Sequence, residues 1–494
     1  MRKYDAIVIG AGNTGLATAC TLAKKGVKTL ILEQHNVPGG YASTFRRGRF
    51  EFEGSLHHLS GYGTKENPGP LCKLFDELDI NDKVELINLP NIYRFVVPGM
   101  YDFVLPCDKD QMTKVLQDNF PEERDSIERF FKVLYSCWEE FVQMYDFQFD
   151  FMNMDKKLDP EASPEKYPNL FKYAFRSLPS VLAEFFKNPI LRAAVAMLSM
   201  YSGPVPDIDF IDLATWVYEY LIYGSYHVKG GSQALSNAIV DSYTSYGGEI
   251  EYNSDVQKIL VENGHVTGVV TDSGETILAN RVISNVSPLV VYGEMVEPEY
   301  VPKRIFDSYR GLKLGGATSV VYLGLDIGHE ELGFNDTNVF IMHPQKGMLA
   351  ITSQNAACEE AFPAGTTQLE LAGYQTASKW MCIPPHQYAA EKYKMAEDQI
   401  ELAEAVFPNI REHIEEMEIS TPLTNMRYVR APGGAIGGLK YYFRRYVMFP
   451  TNQQDLIEGL NFACAGTTQP GGYRPALSFG HAMGEVLAET LLGN

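Results

Sequence analysis

Long hydrophobic runs are missing from this chain. No stretch reaches the ~20 apolar residues that a membrane-spanning helix needs, and the first apolar run, Ala6-Ile7-Val8-Ile9, stops at Gly10, too soon for the core of a secretory signal. Basic charge is scarce. Lys and Arg number 42 against 62 Asp and Glu, a formal net charge of −20. That balance argues against a nucleic-acid partner, whose phosphates demand clustered cations, and against purely electrostatic adhesion to an anionic membrane. Cysteine is sparse and unpatterned: Cys20, Cys72, Cys107, Cys137, Cys358, Cys382 and Cys464 form an odd set with no CxxC. This points to a reduced, cytoplasmic protein without a disulfide framework. No Cys, His and carboxylate cluster has metal-ligand spacing, and the adjacent His57-His58 is not the i, i+4 arrangement that puts two imidazoles on one helix face, so no metal is expected. Low-complexity segments and repeats of fixed period are absent too. What remains is a globular chain of 494 residues, 45% hydrophobic, with material for two or three domains.

The first 33 residues read as strand, tight loop, helix, strand. Ala6-Ile7-Val8-Ile9 is uninterrupted apolar sequence, as a parallel strand covered on both faces should be. Gly10-Ala11-Gly12-Asn13-Thr14-Gly15 follows, then a helix over Leu16–Lys25 stopped by Gly26, then the strand Thr29-Leu30-Ile31-Leu32-Glu33. In this context G-x-G-x-x-G is a dinucleotide-binding loop. Gly10 permits the turn, Gly12 lets a pyrophosphate approach, and Gly15 lets the helix pack on the strand. Asn13 and Thr14 stand at the helix start, whose free N–H groups suit phosphate. Glu33 is placed to accept hydrogen bonds from ribose hydroxyls and disfavours a 2′-phosphate. The loop alone does not choose between FAD and NAD.

From about residue 65 to 223 the pattern shifts to dense aromatics and amphipathic stretches, as in Tyr145-Asp146-Phe147-Gln148-Phe149-Asp150-Phe151, and reads as a helix-rich, substrate-facing insertion. An α/β pattern resumes near His227: a helix over Gln233–Tyr246, strands over Glu249–Tyr252 and Val256–Val261, a hairpin turn at Asn263-Gly264, and a short strand at Val282-Ile283-Ser284-Asn285. A second excursion, from about 287 to 453, mixes strands and helices. The end of the chain returns with the strand Leu460–Gly466 and a helix over Pro475–Leu492. Gly433-Gly434-Ala435-Ile436-Gly437-Gly438 is followed by a strand-like segment, so it reads as a junction loop and not as a second nucleotide site.

Pro38-Gly39-Gly40-Tyr41-Ala42-Ser43, behind Glu33, resembles the FAD signature of the phytoene desaturase, carotenoid isomerase and retinol saturase superfamily, which includes the amine oxidases. Tyr41 replaces the Arg usual in that family. Phe52-Glu53-Gly54-Ser55-Leu56-His57-His58 is similar to the family segment beside the isoalloxazine ring. Val228-Lys229-Gly230-Gly231-Ser232-Gln233-Ala234-Leu235 resembles its Pro-x-Gly-Gly-x-x-x-Leu, and the strands from Val256 to Asn285 resemble the pair passing behind the adenine. Ala465-Gly466 through Pro470-Gly471-Gly472-Tyr473 to Phe479-Gly480 resembles the second flavin motif, with Thr467 where amine oxidases have an acid. The resemblance implies FAD as cofactor, held by Gly10, Gly12, Asn13, Thr14, Gly15, Glu33, Gly39, Gly40, Ser43, Val256, Gly466, Gly472 and Tyr473, with NADH as a candidate transient electron donor. The closing helix would aim its N-terminus at the flavin's pyrimidine edge and stabilise negative charge there.

A flavin carries the redox chemistry, so few acid–base residues are needed. His57 and His58 are the candidates to move a proton, with Tyr473 next and then Tyr62 and Arg474; the competing reading gives each a packing or structural role. The expected architecture is α/β: a Rossmann-like FAD domain from residues 1–75, 225–290 and 454–494, and an inserted α+β substrate domain from 76–224 and 291–453 with a helix-rich lid. The family acts on apolar polyenes, which implies an oxidoreductase of C=C or CH–CH bonds in a carotenoid-, retinoid- or lipid-like substrate. Two alternatives are a flavin-dependent double-bond isomerase of a fatty acid or carotenoid, and a flavin-bound module without turnover. The apolar substrate class and the segment Pro189–Met200 suggest peripheral membrane contact; the oligomeric state is not legible.

Overall fold

The computed structural model describes residues 2–55, 57–145, 159–199, 208–311, 313–436, 438, 456–464 and 472–493. Gly466, Thr467, Pro470-Gly471, Met200, the segment 146–151 and the strand-like stretch after Gly438 lie outside them.

The opening unit is β1 (Lys3–Ile9), α1 (Asn13–Lys24) and β2 (Thr29–Leu32). β1 is buried from Ala6 to Ile9, which accounts for its uninterrupted apolar sequence. Distant segments complete its sheet. Glu249–Glu251 pairs in parallel with β2, and Thr276–Ser284 pairs in parallel with β1 on the other side. Leu460–Phe462 adds a parallel strand along the end of Thr276–Ser284, while the hairpin Val256–Glu262/His265–Thr271 pairs with its beginning. Asn263 and Gly264 both have positive φ, 52° and 83°, as the expected tight hairpin turn requires. The strand expected at Val282–Asn285 is the end of a nine-residue strand, whose start was hidden by Asn280 and Arg281.

Two helices cover α1's side of this sheet: Gly231–Ser245 and the closing helix Tyr473–Leu492. The closing helix starts two residues before the expected Pro475, capped by Gly472 at φ 112°. It lies very close to α1. A Cβ at Gly480 would stand 2.4 Å from Thr14 O, and one at Gly484 would stand 2.6 Å from Thr21 Cβ.

The second sheet has the strand order Ile414–Ser420, Ala317–Leu325, Thr367–Gln375, Gly347–Thr352, Asn338–His343, Asn91–Val97, Tyr101–Pro106. Its last two strands, and a third at Leu86–Leu89 that pairs with Ser225–Val228, come from the segment read as helix-rich. Tyr93, Phe95 and Val97 alternate on one strand, so aromatic density there marks a buried sheet face and not a helix. One face of the second sheet packs Val321, Leu369, Leu371, Ile351 and Ile341 against the helix Tyr388–Glu404. On the opposite face the register forms two adjacent rows. One runs Tyr322, Glu370, Thr352, Asn338; the next runs Val320, Ala372, Ala350, Phe340, Phe95. The apolar row leads into a helical layer made by Arg124–Tyr145, Pro168–Tyr173, Leu178–Phe185, Pro189–Met197 and Phe210–Tyr223, whose core is rich in Phe and Tyr.

The helix Pro189–Met197 buries Leu191, Val195 and Met197 in that core, with Leu198 just beyond it. It therefore turns these apolar residues to the core and not to a lipid surface. Among the described residues no helix is long and apolar enough to cross a membrane.

Candidate functional site

The glycine loop folds as its spacing predicts, and a second loop closes on it. Gly10 has φ +92°, and a Cβ at Gly15 would stand 2.4 Å from Gly10 O, so helix and loop touch backbone to backbone. Gly39 donates its N–H to Ala11 O at 2.8 Å, and Gly12 and Gly39 pair as a parallel bridge. A Cβ at Gly39 would stand 2.0 Å from Ala42 O, and Gly39 has φ +120°, so this crossing admits only glycine. Ser43 Oγ donates to Gly40 O at 3.0 Å, which makes it a turn-former within the second loop.

Glu33 is buried at the end of β2. Its Oε2 accepts from Ala11 N–H at 2.6 Å and its Oε1 from His35 N–H at 2.8 Å. Burial pushes its carboxyl up, and the two N–H groups act in the opposite direction. Ser254 donates its N–H to Glu33 O at 2.9 Å, which brings Val256 and its strand alongside. Asn285 is a residue of this loop that the motif reading named without a role. It follows directly on the neighbouring strand, donates its N–H to Ile9 O at 2.8 Å and its Nδ2 to Ala463 O, and places Oδ1 where a Cβ at Gly12 would come within 2.4 Å.

A dinucleotide cofactor fits these residues. Asn13 Oδ1 is buried and finds no hydrogen-bond partner among the described residues, and neither does Tyr41 Oη of the second loop. α1 has no side-chain cap and no acid in its first turn, so its N–H groups face the loop unscreened.

Behind the loops lies a buried polar cluster that sequence reasoning assembled only in part. The hairpin strand Phe50–Glu53 delivers Glu53 to the start of the helix Gly231–Ser245. Glu53 accepts from Ser232 N–H at 2.7 Å, from Ser55 N–H at 3.0 Å and from Ser232 Oγ. Tyr473 Oη lies 2.5 Å from Ser232 Oγ and 2.8 Å from Ser55 Oγ, so the expected neighbour of the flavin is fixed by two serines. Burial, then the charge of Glu53, holds the Tyr473 phenol well above its usual range. Glu370, from the polar row of the second sheet, accepts the backbone N–H of Glu53, and its Oε2 lies 3.8 Å from His57 Nδ1. Burial and the Glu53 charge push the Glu370 carboxyl well above its usual range.

The two histidines differ. His58 is held at both ring nitrogens: Nδ1 lies 2.6 Å from Ser225 Oγ, Nε2 meets Asn338 Nδ2, and Asn338 Oδ1 accepts from Thr352 Oγ1 at 2.9 Å. With Asn338 donating, Nδ1 carries the hydrogen and donates to Ser225, so His58 is a fixed neutral imidazole. Burial, reinforced by His57 and His227, lowers it to about 3. Burial lowers His57 to about 4, and His227 likewise to about 4. His227 is the missed member of this group; its Nδ1 is buried without a partner among the described residues.

Tyr62 and Arg474 serve the frame. Tyr62 Oη donates to Asn81 Oδ1 at 2.8 Å, and its ring packs on Phe75 and Tyr226. Arg474 forms a buried ion pair with Glu219, Nε to Oε2 at 3.1 Å, and Ser60 Oγ donates to the same carboxylate at 3.0 Å. Among the described residues no group of three His, Cys, Asp or Glu is arranged to hold a metal.

Comparison with known proteins agrees with the motifs. The model of the flavin-containing amine oxidoreductase family matches residues 14–326. The chain is 25% identical to a chloroplastic prolycopene isomerase of Daucus carota, over 88% of this chain and 72% of the other. It is 25% identical to an all-trans-retinol 13,14-reductase of Danio rerio, over 90% and 78%. It is 26% identical to a 4,4'-diapophytoene desaturase of a Methylomonas species, over 95% and 92%. Among solved structures, an oxidoreductase from Methanosarcina mazei superposes with a TM-score of 0.68 at 17% identity, covering 98% of this chain and 99% of that one. Cyclohexylamine oxidase from Brevibacterium oxydans superposes with a TM-score of 0.62 at 16% identity, covering 99% of each.

Proposed function

The chain belongs to the flavin-containing amine oxidoreductase family, and from that premise we propose that this FAD-dependent oxidoreductase acts on C=C or CH–CH bonds of an apolar polyene or lipid, in the manner of a carotenoid or retinoid saturase or desaturase. The observation that carries the substrate class is the pair of rows on the second sheet. Glu370, Thr352 and Asn338 stand beside His57 and His58, and the adjacent Ala372, Ala350 and Phe340 continue into an aromatic helical layer. A long apolar molecule would lie along the second row with one bond at the polar end. Three relatives similar to it over most of its length are named for prolycopene, all-trans-retinol and diapophytoene.

Bound FAD supplies hydride chemistry at its ring system. The chain's part is to bind, orient and exclude water. The α1 N-terminus with Gly10, Gly12, Asn13, Thr14 and Gly15 would take the pyrophosphate, and Glu33 the adenosine ribose once it gives up its bond to Ala11. Val256 would back the adenine, and Gly39, Gly40 and Ser43 would close over the cofactor with Gly466, Gly472 and Tyr473 at its other end. Residues 1–75, 225–290 and 454–494 would form the cofactor domain; 76–224 and 291–453 would form the substrate domain. His58, fixed and neutral, would orient substrate or ring, which leaves His57 as the proton carrier at Nδ1 or Nε2. Tyr473, pinned by Ser55 and Ser232, would set the packing at the reacting bond.

The anaerobic visible spectrum of the purified protein tests this, before and after NADH and then after a polyene. Bleaching by NADH followed by reoxidation with a polyene supports a saturase. Bleaching by a polyene alone supports a desaturase. No flavin band after incubation with FAD refutes the reading. A second reading, double-bond isomerisation, is favoured by the likeness to prolycopene isomerases; it expects geometric isomers to form with prereduced flavin and no net consumption of electrons. Peripheral contact with a membrane belongs to the same proposal, because the substrate class partitions into lipid; failure to sediment with neutral liposomes would remove it.

A further inference from the structure

We propose that Glu370 and His57 form a proton-carrying pair, in which the Glu370 carboxyl stores the proton and His57 passes it to or from a carbon of the substrate. This rests on the polyene reading above and assigns its proton half to a residue outside every flavin motif.

The geometry separates two buried glutamates. Glu53 accepts hydrogen bonds from Ser55 N–H at 3.0 Å, Ser232 N–H at 2.7 Å and Ser232 Oγ. Its ionised form is therefore satisfied. Glu370 faces it from the middle of Thr367–Gln375, is 7% exposed, and accepts the Glu53 N–H. A second anion so close to the first, away from water, is unfavourable, so the pair of carboxyls retains one proton and Glu370 carries it. Among the described residues, Tyr322 across the strand pair, Tyr473 from the closing helix and His57 also face Glu370. Both phenols are pushed up by burial and stay neutral. His57, neutral and with Nδ1 3.8 Å from Glu370 Oε2, is the proton acceptor.

The transfer is balanced. The O–H bond of Glu370 breaks and an N–H bond forms on His57, giving an imidazolium–carboxylate pair without a change in net charge. The N–H bond then breaks as a C–H bond forms, and the Glu370 carboxylate regains a proton from water. Desaturation runs the same steps backwards. No electrons pass through the pair; it moves the proton that accompanies hydride when a double bond is made or saturated.

Infrared spectroscopy of the FAD-loaded full chain at neutral pH reads the pair without any substrate. With isotope-labelled glutamate, which separates these bands from that of the buried Asp212, the C=O stretch of a protonated glutamic acid should be present and should lose one component in Glu370→Gln. In the same variant kcat should fall about 10²-fold or more, with KM and FAD content unchanged and partial recovery in Glu370→Asp. No lost component, or an unchanged kcat, overturns the pair. Should Glu370→Gln not fold, Glu53→Gln decides: without the neighbouring charge the band should vanish at a lower pH than in the wild type, and an unmoved titration overturns the proposal. A band lost in Glu370→Gln in a protein that turns over no polyene would leave the pair standing and sink the substrate reading; polyene turnover with no such band would do the reverse.

Discussion

Glu53 Oε2 accepts the N–H of Ser232 at 2.7 Å, which joins the hairpin behind the flavin loops to the first turn of the helix Gly231–Ser245. The approach depends on Gly231: a Cβ there would stand 2.4 Å from the same oxygen, and its φ of +67° is one that side chains rarely adopt. An anion at a helix N-terminus is favourable in itself. Here it also orients Ser232, whose hydroxyl and that of Ser55 fix Tyr473.

Replacing Glu53 by Gln keeps the shape and removes the charge. Charge-assisted bonds contribute about 1.5–3 kcal/mol each, and the amide turns a donor toward donors. Glu53→Gln should lose about 2 kcal/mol in chemical denaturation and retain less FAD, because Tyr473 is no longer held. A loss below about 0.5 kcal/mol would mean that the carboxylate does not carry the junction.

Arg474 and Glu219 offer a cleaner measurement. The pair is buried, Arg474 6% and Glu219 1% exposed, and it ties the closing helix to the helical layer. Removing one partner strands a charge away from water, at about 3–5 kcal/mol, whereas removing both is much milder. Arg474→Met and Glu219→Gln should each destabilise strongly, and the double variant should be more stable than either single one. Additive losses in the double-mutant cycle would show that the two charges act independently.

Legibility followed locality. The glycine loop, Glu33 and the Asn263-Gly264 hairpin were readable because loop, helix and strand are specified by neighbours in sequence. Glu370 was not. It lies in Gln368-Leu369-Glu370-Leu371, an alternation that reads as a strand with one wet face. That face is dry only because the hairpin around Glu53 and His57 covers it, more than 300 residues away along the chain. The strands at Asn91–Val97 and Tyr101–Pro106 lie in the segment read as helix-rich from its aromatic density, whereas Tyr93, Phe95 and Phe103 fall on strands, where side chains alternate with a period of two. His57 and His58 were found by motif, but which of them is fixed depends on Ser225 and Asn338, contributed by two different sheets.

The buried histidines carry a pH signature. His227 is held down to about 4 by burial, whereas an unfolded histidine titrates near ~6.5. Between those values the unfolded chain binds a proton that the native protein does not, so the contribution of His227 is whole above pH ~6.5 and is lost as pH falls toward ~4. Glu370 acts oppositely, since the native state keeps a proton that the unfolded chain releases above pH ~4.3. Comparing wild type with His227→Gln isolates one group. The stability of the wild type relative to the variant should fall from pH 7 to pH 4, by on the order of 3 kcal/mol at most. A constant difference across that range would place the imidazole in contact with water.

The contact between α1 and the closing helix separates packing from cofactor binding. At Gly480 an added Cβ meets Thr14 O at 2.4 Å and Ala17 Cβ at 2.9 Å; at Gly484 it meets Thr21 Cβ at 2.6 Å and Thr18 O at 3.0 Å. Both sites are tight, so alanine at either should cost about 1–3 kcal/mol through forced separation of the helices. Their positions along α1 differ. Thr14 belongs to its first turn, directly behind Gly12 and Asn13, whose Oδ1 has no partner among the described residues, whereas Thr21 lies near its far end. Backbone cannot yield at Thr14 without tilting the N–H groups that face the loop. Gly480→Ala should therefore lower bound FAD, measured by flavin absorbance per protein after gel filtration, while Gly484→Ala, similarly destabilised, should keep it. Equal retention of FAD in both variants would mean that the loop holds its shape independently of the helix packed behind it.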